Sequence, residues 1–171
     1  LEIKYDNAGN KMEETDADGI TTRYTYNRRN NIYQKILADK NGVERIMTTY
    51  TYDSRGNLKT ETDNKGNRTH YEYDRLKRLR KKIFADTATE EYTYDEVGNM
   101  TQTVIGNKPP TITRFNSMGS IVKTIDPLNN VTEYIYDPNG NQVRLIKANG
   151  LTYKTEYDEQ NRPIRTYDSL D

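Results

Sequence analysis

Residues Tyr52 to Asp74 read YDSRGNLKTETDNKGNRTHYEYD, and two Asp-x-x-Gly stretches, Asp53 to Gly56 and Asp63 to Gly66, stand ten residues apart within them. Asp at the first position of a tight turn accepts hydrogen bonds from the backbone just ahead of it. Gly at the fourth takes the left-handed conformation that a type I turn with a following bulge demands. Between and after these turns lie Asn57 to Thr62 and Asn67 to Tyr73, short runs rich in Thr, Leu and Tyr with polar residues at alternate positions. That alternation has the period of a strand. In the second run Thr69, Tyr71 and Tyr73 share one face and His70 falls on the other.

The unit repeats outward in both directions. Tyrosines equivalent to Tyr52 are Tyr5, Tyr26, Tyr73, Tyr94, Tyr136 and Tyr157, with Phe115 in the same phase, and every interval is 21 residues except the 26 from Tyr26 to Tyr52. A fixed period of this length makes the chain an array of one supersecondary unit. The expected fold is all-β, with tandem hairpin repeats of about 21 residues in an antiparallel meander. Roughly 15 strands spaced ~4.8 Å apart give a sheet on the order of 70 Å wide. Open sheets that long do not stay flat, so a spiral sheet or partial shell is expected.

Turn residues are expected at Asp6, Gly9, Asp16, Gly19, Asp53, Gly56, Asp63, Gly66, Asp95, Gly98, Asp137 and Gly140. The repeat from Tyr26 uses Asn27 and Asn30 in place of Asp and Gly, which turn geometry tolerates. Its second turn, Asp39 to Gly42, comes late, and the extra residues predict a protruding hairpin around Lys40 and Asn41 with one residue taken up as a bulge. In the following repeats the second turns read as Asp86-Thr87-Ala88, as a loop over Gly106 to Pro110, and as Asp126 to Asn129. The second-strand face forms a tyrosine ladder of Tyr24, Tyr26, Tyr50, Tyr52, Tyr71, Tyr73, Tyr92, Tyr94, Tyr134 and Tyr136. Such a face serves either as apolar cover or as a platform for sugar rings, since a tyrosine has an apolar body and a polar tip. Its strict alternation with the turns favours the first reading.

Composition limits the chemistry. Leu, Ile, Val and Phe number only 30 of 171 residues, whereas 15 tyrosines supply the area that aliphatic side chains do not. Net charge is zero. No Cys is present, so disulfides and thiolate metal sites are excluded, and His70 is the sole histidine, so neither a zinc cluster nor a marked Ser-His-Asp site can be assembled. No catalytic residue, cofactor or metal site is expected. Asp16-Ala-Asp18-Gly19 looks like part of a calcium loop, but the full ligand spacing ending in Glu is missing. Arg75, Lys77, Arg78, Arg80, Lys81 and Lys82 form a basic cluster, flanked by Glu72, Glu90 and Glu91, that reads as a solvated face rather than a site for nucleic acid or sulfated glycan. No apolar run is long enough to enter a membrane as a helix.

The recurring Tyr-Asp-x-x-Gly-Asn, with Leu58, Leu79, Met100 and Ile121 just after it and Tyr-x-Tyr-Asp closing the unit, resembles the YD-repeat or Rhs-repeat proteins. The resemblance covers nearly the whole chain. It implies a hollow β-shell of the kind in bacterial Rhs and toxin-complex proteins and in teneurins. The implied function is structural: shell wall of a large secreted or cell-surface protein, enclosing a toxin or effector domain of the same parent chain that lies outside this segment. The alternative is a recognition surface for cell-wall or host glycans. Asp137-Pro138-Asn139-Gly140 resembles one fragment of the Asp-Pro-x-Gly-Leu elements of the family's self-cleaving core, but Asn141 stands in place of Leu, so the shell carries over and the protease does not. The chain is expected to be one array of eight repeats over 1–171, cut from a longer protein, with Leu1, Ile3 and Tyr5 alternating as a last strand and residues 167–171 stopping inside a turn. Cut ends leave open strand edges, so edge-to-edge self-association is expected as well.

Overall fold

The computed structural model describes residues 1–168. Its strands keep chain order, paired neighbours run antiparallel, and no helix occurs among the described residues. The chain divides into two compact units, 1–89 and 90–171. The first carries β1 (Glu2–Tyr5), β2 (Lys11–Thr15), β3 (Thr21–Tyr26), β4 (Ile32–Ala38), β5 (Glu44–Tyr52), β6 (Leu58–Asp63), β7 (Arg68–Tyr73) and β8 (Leu79–Ile83). The second carries β9 (Thr89–Tyr94), β10 (Met100–Ile105), β11 (Thr111–Phe115), β12 (Ile121–Ile125), β13 (Val131–Tyr136), β14 (Gln142–Ile146), β15 (Thr152–Tyr157) and β16 (Pro163–Asp168). The all-β repeat meander read from the period is thus the observed topology. β1 and β16 each have one partner, β2 and β15, so the meander has open edges.

Alternation within the strands follows the two faces of the sheet. In β7 the exposed residues are Arg68, His70 and Glu72, whereas Thr69, Tyr71 and Tyr73 are half-buried. Only two described residues are buried, Ala38 at 3% and Thr60 at 7% exposure. The hydroxyls of Thr60 and Thr51 lie 2.6 Å apart across β5 and β6. A sheet with so little interior is a single layer, held by cross-strand pairs and its backbone ladder rather than by a packed core.

Each hairpin whose first strand ends in Tyr5, Tyr26, Tyr52, Tyr73, Tyr94, Phe115, Tyr136 or Tyr157 carries a register shift at that residue. Tyr52 pairs with Leu58 while Thr51 pairs with Thr60, so Lys59 is the extra residue. These are β-bulges, which bend the strand and raise its local twist. The long hairpin of β4 and β5 adds a second shift at Lys35 and Ile36, the bulge expected from its surplus residues. One expected position moves: the turn after β8 begins at Phe84, with Thr87 at its fourth place, so Asp86 is its third residue rather than its first. Tyr167 and Asp168, expected in a turn, instead end β16 and pair with Lys154 and Tyr153 of β15. The rest of the turn expected there, 169–171, lies outside the described residues.

Candidate functional site

A meander puts alternate turns at opposite ends of its strands, so each unit presents two rows of turns. In the first row of the first unit stand the turns opened by Asp6, Asn27, Asp53 and Asp74; in the second stand those opened by Asp16, Asp39, Asp63 and Phe84. All share one backbone pattern. In the Asp53 turn the Gly56 N–H donates to the Asp53 carbonyl at 3.1 Å, and the Asp53 N–H donates to the Asn57 carbonyl at 2.9 Å. Gly56 has φ +85°, the left-handed value a glycine holds without strain.

The aspartate side chain ties the turn together. Asp53 Oδ1 accepts from the Arg55 and Asn57 N–H groups at 2.9 and 2.8 Å, and Oδ2 accepts from Asn57 Nδ2 at 2.9 Å. The same clamp recurs from Asp6 to Asn10, Asp63 to Asn67, Asp95 to Asn99, Asp126 to Asn130 and Asp137 to Asn141. In the Asp74 and Asp158 turns arginine takes over, Arg78 Nε and Arg162 Nε each donating to Oδ2 at 2.7 Å. Asn10 and Asn57 are visible in the repeated motif, but their role as the clamp's second jaw emerges only from the geometry. The Asn57 side-chain amide first, and then backbone N–H groups, hold the Asp53 carboxyl below the usual range. Asp6, Asp63, Asp95, Asp126 and Asp137 are lowered in the same way by their asparagines. For Asp74 and Asp158 the leading cause is the backbone N–H of Arg78 and Arg162, reinforced by the guanidinium. Asp16 and Gly19 occupy the same turn positions without an asparagine at the fifth, where Ile20 stands.

The ladder tyrosines are half-buried, and several hydroxyls are committed. Tyr26, Tyr52, Tyr136 and Tyr157 donate to the carbonyls of Lys11, Ile32, Ile121 and Gln142, at 2.7, 2.7, 2.8 and 3.2 Å. Each acceptor opens the strand that pairs with the anchor residue of the preceding repeat. The hydroxyls therefore stitch repeat to repeat, a regularity that spacing alone did not reveal. Tyr71 donates to Glu61 Oε2 at 2.9 Å; burial, then that bond, push its pKa up to about 12. Tyr24, Tyr50, Tyr73, Tyr92, Tyr94 and Tyr134 stand on the same alternation in their strands. His70 lies exposed on the opposite face. The basic cluster is not one patch: Arg80 pairs with Glu72 at 3.2 Å on the strands, while Arg75 and Lys77 belong to the turn row.

The family description "Teneurin YD-shell" matches residues 1–167. A crystal structure of TcdB2-TccC3-Cdc42 superposes with a TM-score of 0.82 at 19% identity, covering 95% of this chain and 10% of that one. A Photorhabdus luminescens Tc holotoxin pore gives 0.81 at 19%, with the same coverages of 95% and 10%. TcdB2-TccC3-TEV gives 0.81 at 20%, covering 98% of this chain and 10% of that chain. At such identities the likeness is one of fold, and the chain spans a tenth of those chains. No curated protein matches it.

Proposed function

Starting from a chain that belongs to the teneurin YD-shell family, we propose that it builds part of the wall of a container in a secreted protein. The cargo is a toxin or effector domain of the same parent polypeptide, outside these residues. One observation carries the reading: a single-layer sheet of in-phase, bulged hairpins with almost no buried interior among the described residues forms surface rather than a core. The eight anchors at 5, 26, 52, 73, 94, 115, 136 and 157 act as one array within that wall. The neighbours named as Tc toxin assemblies support this direction. Glycan recognition by the tyrosine face has less behind it, because the hydroxyls of Tyr26, Tyr52, Tyr136 and Tyr157 are already donated to backbone carbonyls.

The test is limited proteolysis of the whole parent protein. A contained domain is cleaved far more slowly in the intact parent than when produced alone. Equal cleavage in both would end the container reading. If a glycan array then gave saturable binding that Tyr71→Ala and Tyr134→Ala abolish without loss of fold, the tyrosine face would be a recognition surface instead. The open edges of β1 and β16 give a companion expectation, concentration-dependent association of the isolated segment, measured by light scattering.

A further inference from the structure

We infer that the first turn row of the 1–89 unit is a binding edge for an extended sulfated polysaccharide. The inference does not depend on the container reading, since it rests on charge at the ends of the strands. Beside the turn at 6–10, which carries Asp6 and no cation, turns 27–31, 53–57 and 74–78 carry six cations, Arg28, Arg29, Arg55, Arg75, Lys77 and Arg78, against two carboxylates, Asp53 and Asp74. Both carboxylates are consumed by their own turns, Asp53 by backbone N–H groups and Asn57, Asp74 by backbone N–H groups and Arg78. Arg28, Arg29, Arg55, Arg75 and Lys77 are exposed at the tips, and among the described residues none is in a salt bridge. The corresponding turns of the 90–171 unit reverse the balance, with Asp95, Glu96, Asp137, Asp158 and Glu159 against Arg162. Zero net charge over the chain therefore hides a basic edge in one unit.

Neighbouring turns hold these cations in line. Arg29 donates to the Ser54 carbonyl at 3.0 Å, Lys77 to the Arg55 carbonyl at 3.3 Å, and Arg55 to the Arg75 carbonyl at 3.5 Å. One donor of each side chain is engaged along the row, and the others stay free for a ligand. Because a guanidinium has five donors in a fixed fork, Arg29 and Arg55 keep the paired geometry that suits a sulfate or phosphate group. Turns of one row repeat every second strand, ~10 Å apart. A linear chain bearing anionic groups at regular intervals matches that comb better than a compact anion does.

Sulfated glycan is favoured over single-stranded nucleic acid by how little aromatic surface the groove exposes. Nucleic-acid channels interleave cations with aromatics on which successive bases stack. Here Tyr33, Tyr50 and Tyr52 line the groove with Arg28 and Arg29, but Tyr50 and Tyr52 are half-buried and only Tyr33 among them is exposed, enough to cover the apolar face of one sugar ring.

The experiment titrates a fluorescent heparin hexasaccharide into the protein at low salt, beside its desulfated form and a single-stranded DNA oligonucleotide of equal charge. The sulfated sugar should bind, weaken steeply with added salt, and outcompete both others. The combined variant Arg28→Ala, Arg29→Ala, Arg55→Ala, Arg75→Ala should weaken binding by about tenfold or more, as expected when several cations no longer displace counterions from a polyanion. Lys40→Ala with Lys65→Ala, on the opposite row, should change nothing, and a retained melting point certifies the fold of each. The wild-type competition decides the matter even if the fourfold variant does not fold. No binding at low salt, equal binding of the desulfated sugar, DNA binding as tight as the sulfated sugar, or an unaffected folded fourfold variant would each overturn the assignment.

Discussion

The turn at Asp53 and the turn at Phe84 have the same backbone and opposite chemistry. In the first, Gly56 N–H meets the Asp53 carbonyl at 3.1 Å; in the second, Thr87 N–H meets the Phe84 carbonyl at 3.0 Å. Both close again one residue later, Asp53 to Asn57 and Phe84 to Ala88, at 2.9 Å. Yet the first has a carboxylate tying down three donors and a glycine at φ +85°, whereas the second has a phenylalanine at its head and a threonine at φ +69°. Its only comparable side-chain tie is Asp86 Oδ1, which accepts from the Ala88 N–H at 3.0 Å. A β-branched residue at positive φ is disfavoured. That the turn forms regardless shows that neither an Asp at its head nor a Gly at its fourth place is required. The Asp and Gly lower the cost of a turn that the array imposes.

Acid is the widest way to probe that division, because eight clamped turns respond together. In each, the folded carboxyl is held below its ordinary value, so the unfolded chain binds protons more readily than the folded one. Stability from the clamps is therefore fully present above the normal aspartate value, about 3.9, and is lost as pH falls through it towards the lower folded values. Melting temperature should be level from neutral pH down to about 5 and then drop. Amide exchange should sharpen the comparison: the Gly56 amide loses protection in acid relative to Thr87, whose turn has no carboxylate at its head. A melting curve unchanged at pH 3 would mean the clamps contribute no stability.

Swapping the fourth residues tests the backbone half of the contrast. No atom lies within 4 Å of a Cβ built on Gly56, so Gly56→Val has room and acts through φ alone. It should cost about 1–3 kcal/mol, seen as a lower melting temperature. Thr87→Gly should move the other way by about 1 kcal/mol, which in a chain this long raises the melting point ~2–4 °C. An unchanged melting point for both would detach turn conformation from stability.

How far the sequence could be read follows from the same two turns. Where Asp and Gly hold the first and fourth places, as at 6–9, 53–56 and 137–140, position and conformation were legible from residue chemistry. Phe84 to Thr87 was displaced because its only turn-like residue, Asp86, sits third, so the turn is framed against local propensity. Lys77 at φ +64° is a second such override. The bulge beside each anchor leaves no residue signature, since Lys59, Arg80 and Val143 share nothing but their place. Nor could the basic turn row be read along the chain, because Arg29, Arg55 and Arg75 come together only when every second turn returns to the same end.

The anchor positions repeat the lesson with a smaller and cleaner difference. Tyr136 and Phe115 occupy equivalent ends of β13 and β11, each paired across a bulge, Tyr136 with Gln142 and Phe115 with Ile121. Tyr136 donates its hydroxyl to the carbonyl of Ile121, which opens β12. By the same relation a hydroxyl at 115 would reach the carbonyl of Met100, which opens β10. Phe115 forms its hairpin without that bond, so pairing again suffices for the fold while the side chain only adds to it. Phe115→Tyr should then stabilise by about 0.5–1.5 kcal/mol, the usual net worth of one added hydrogen bond. The gain would appear as a small rise in melting temperature, together with slower exchange in β10 and β11. A destabilised variant would mean that the hydroxyl meets no acceptor there and that the stitch between repeats is not a general property of the anchor position.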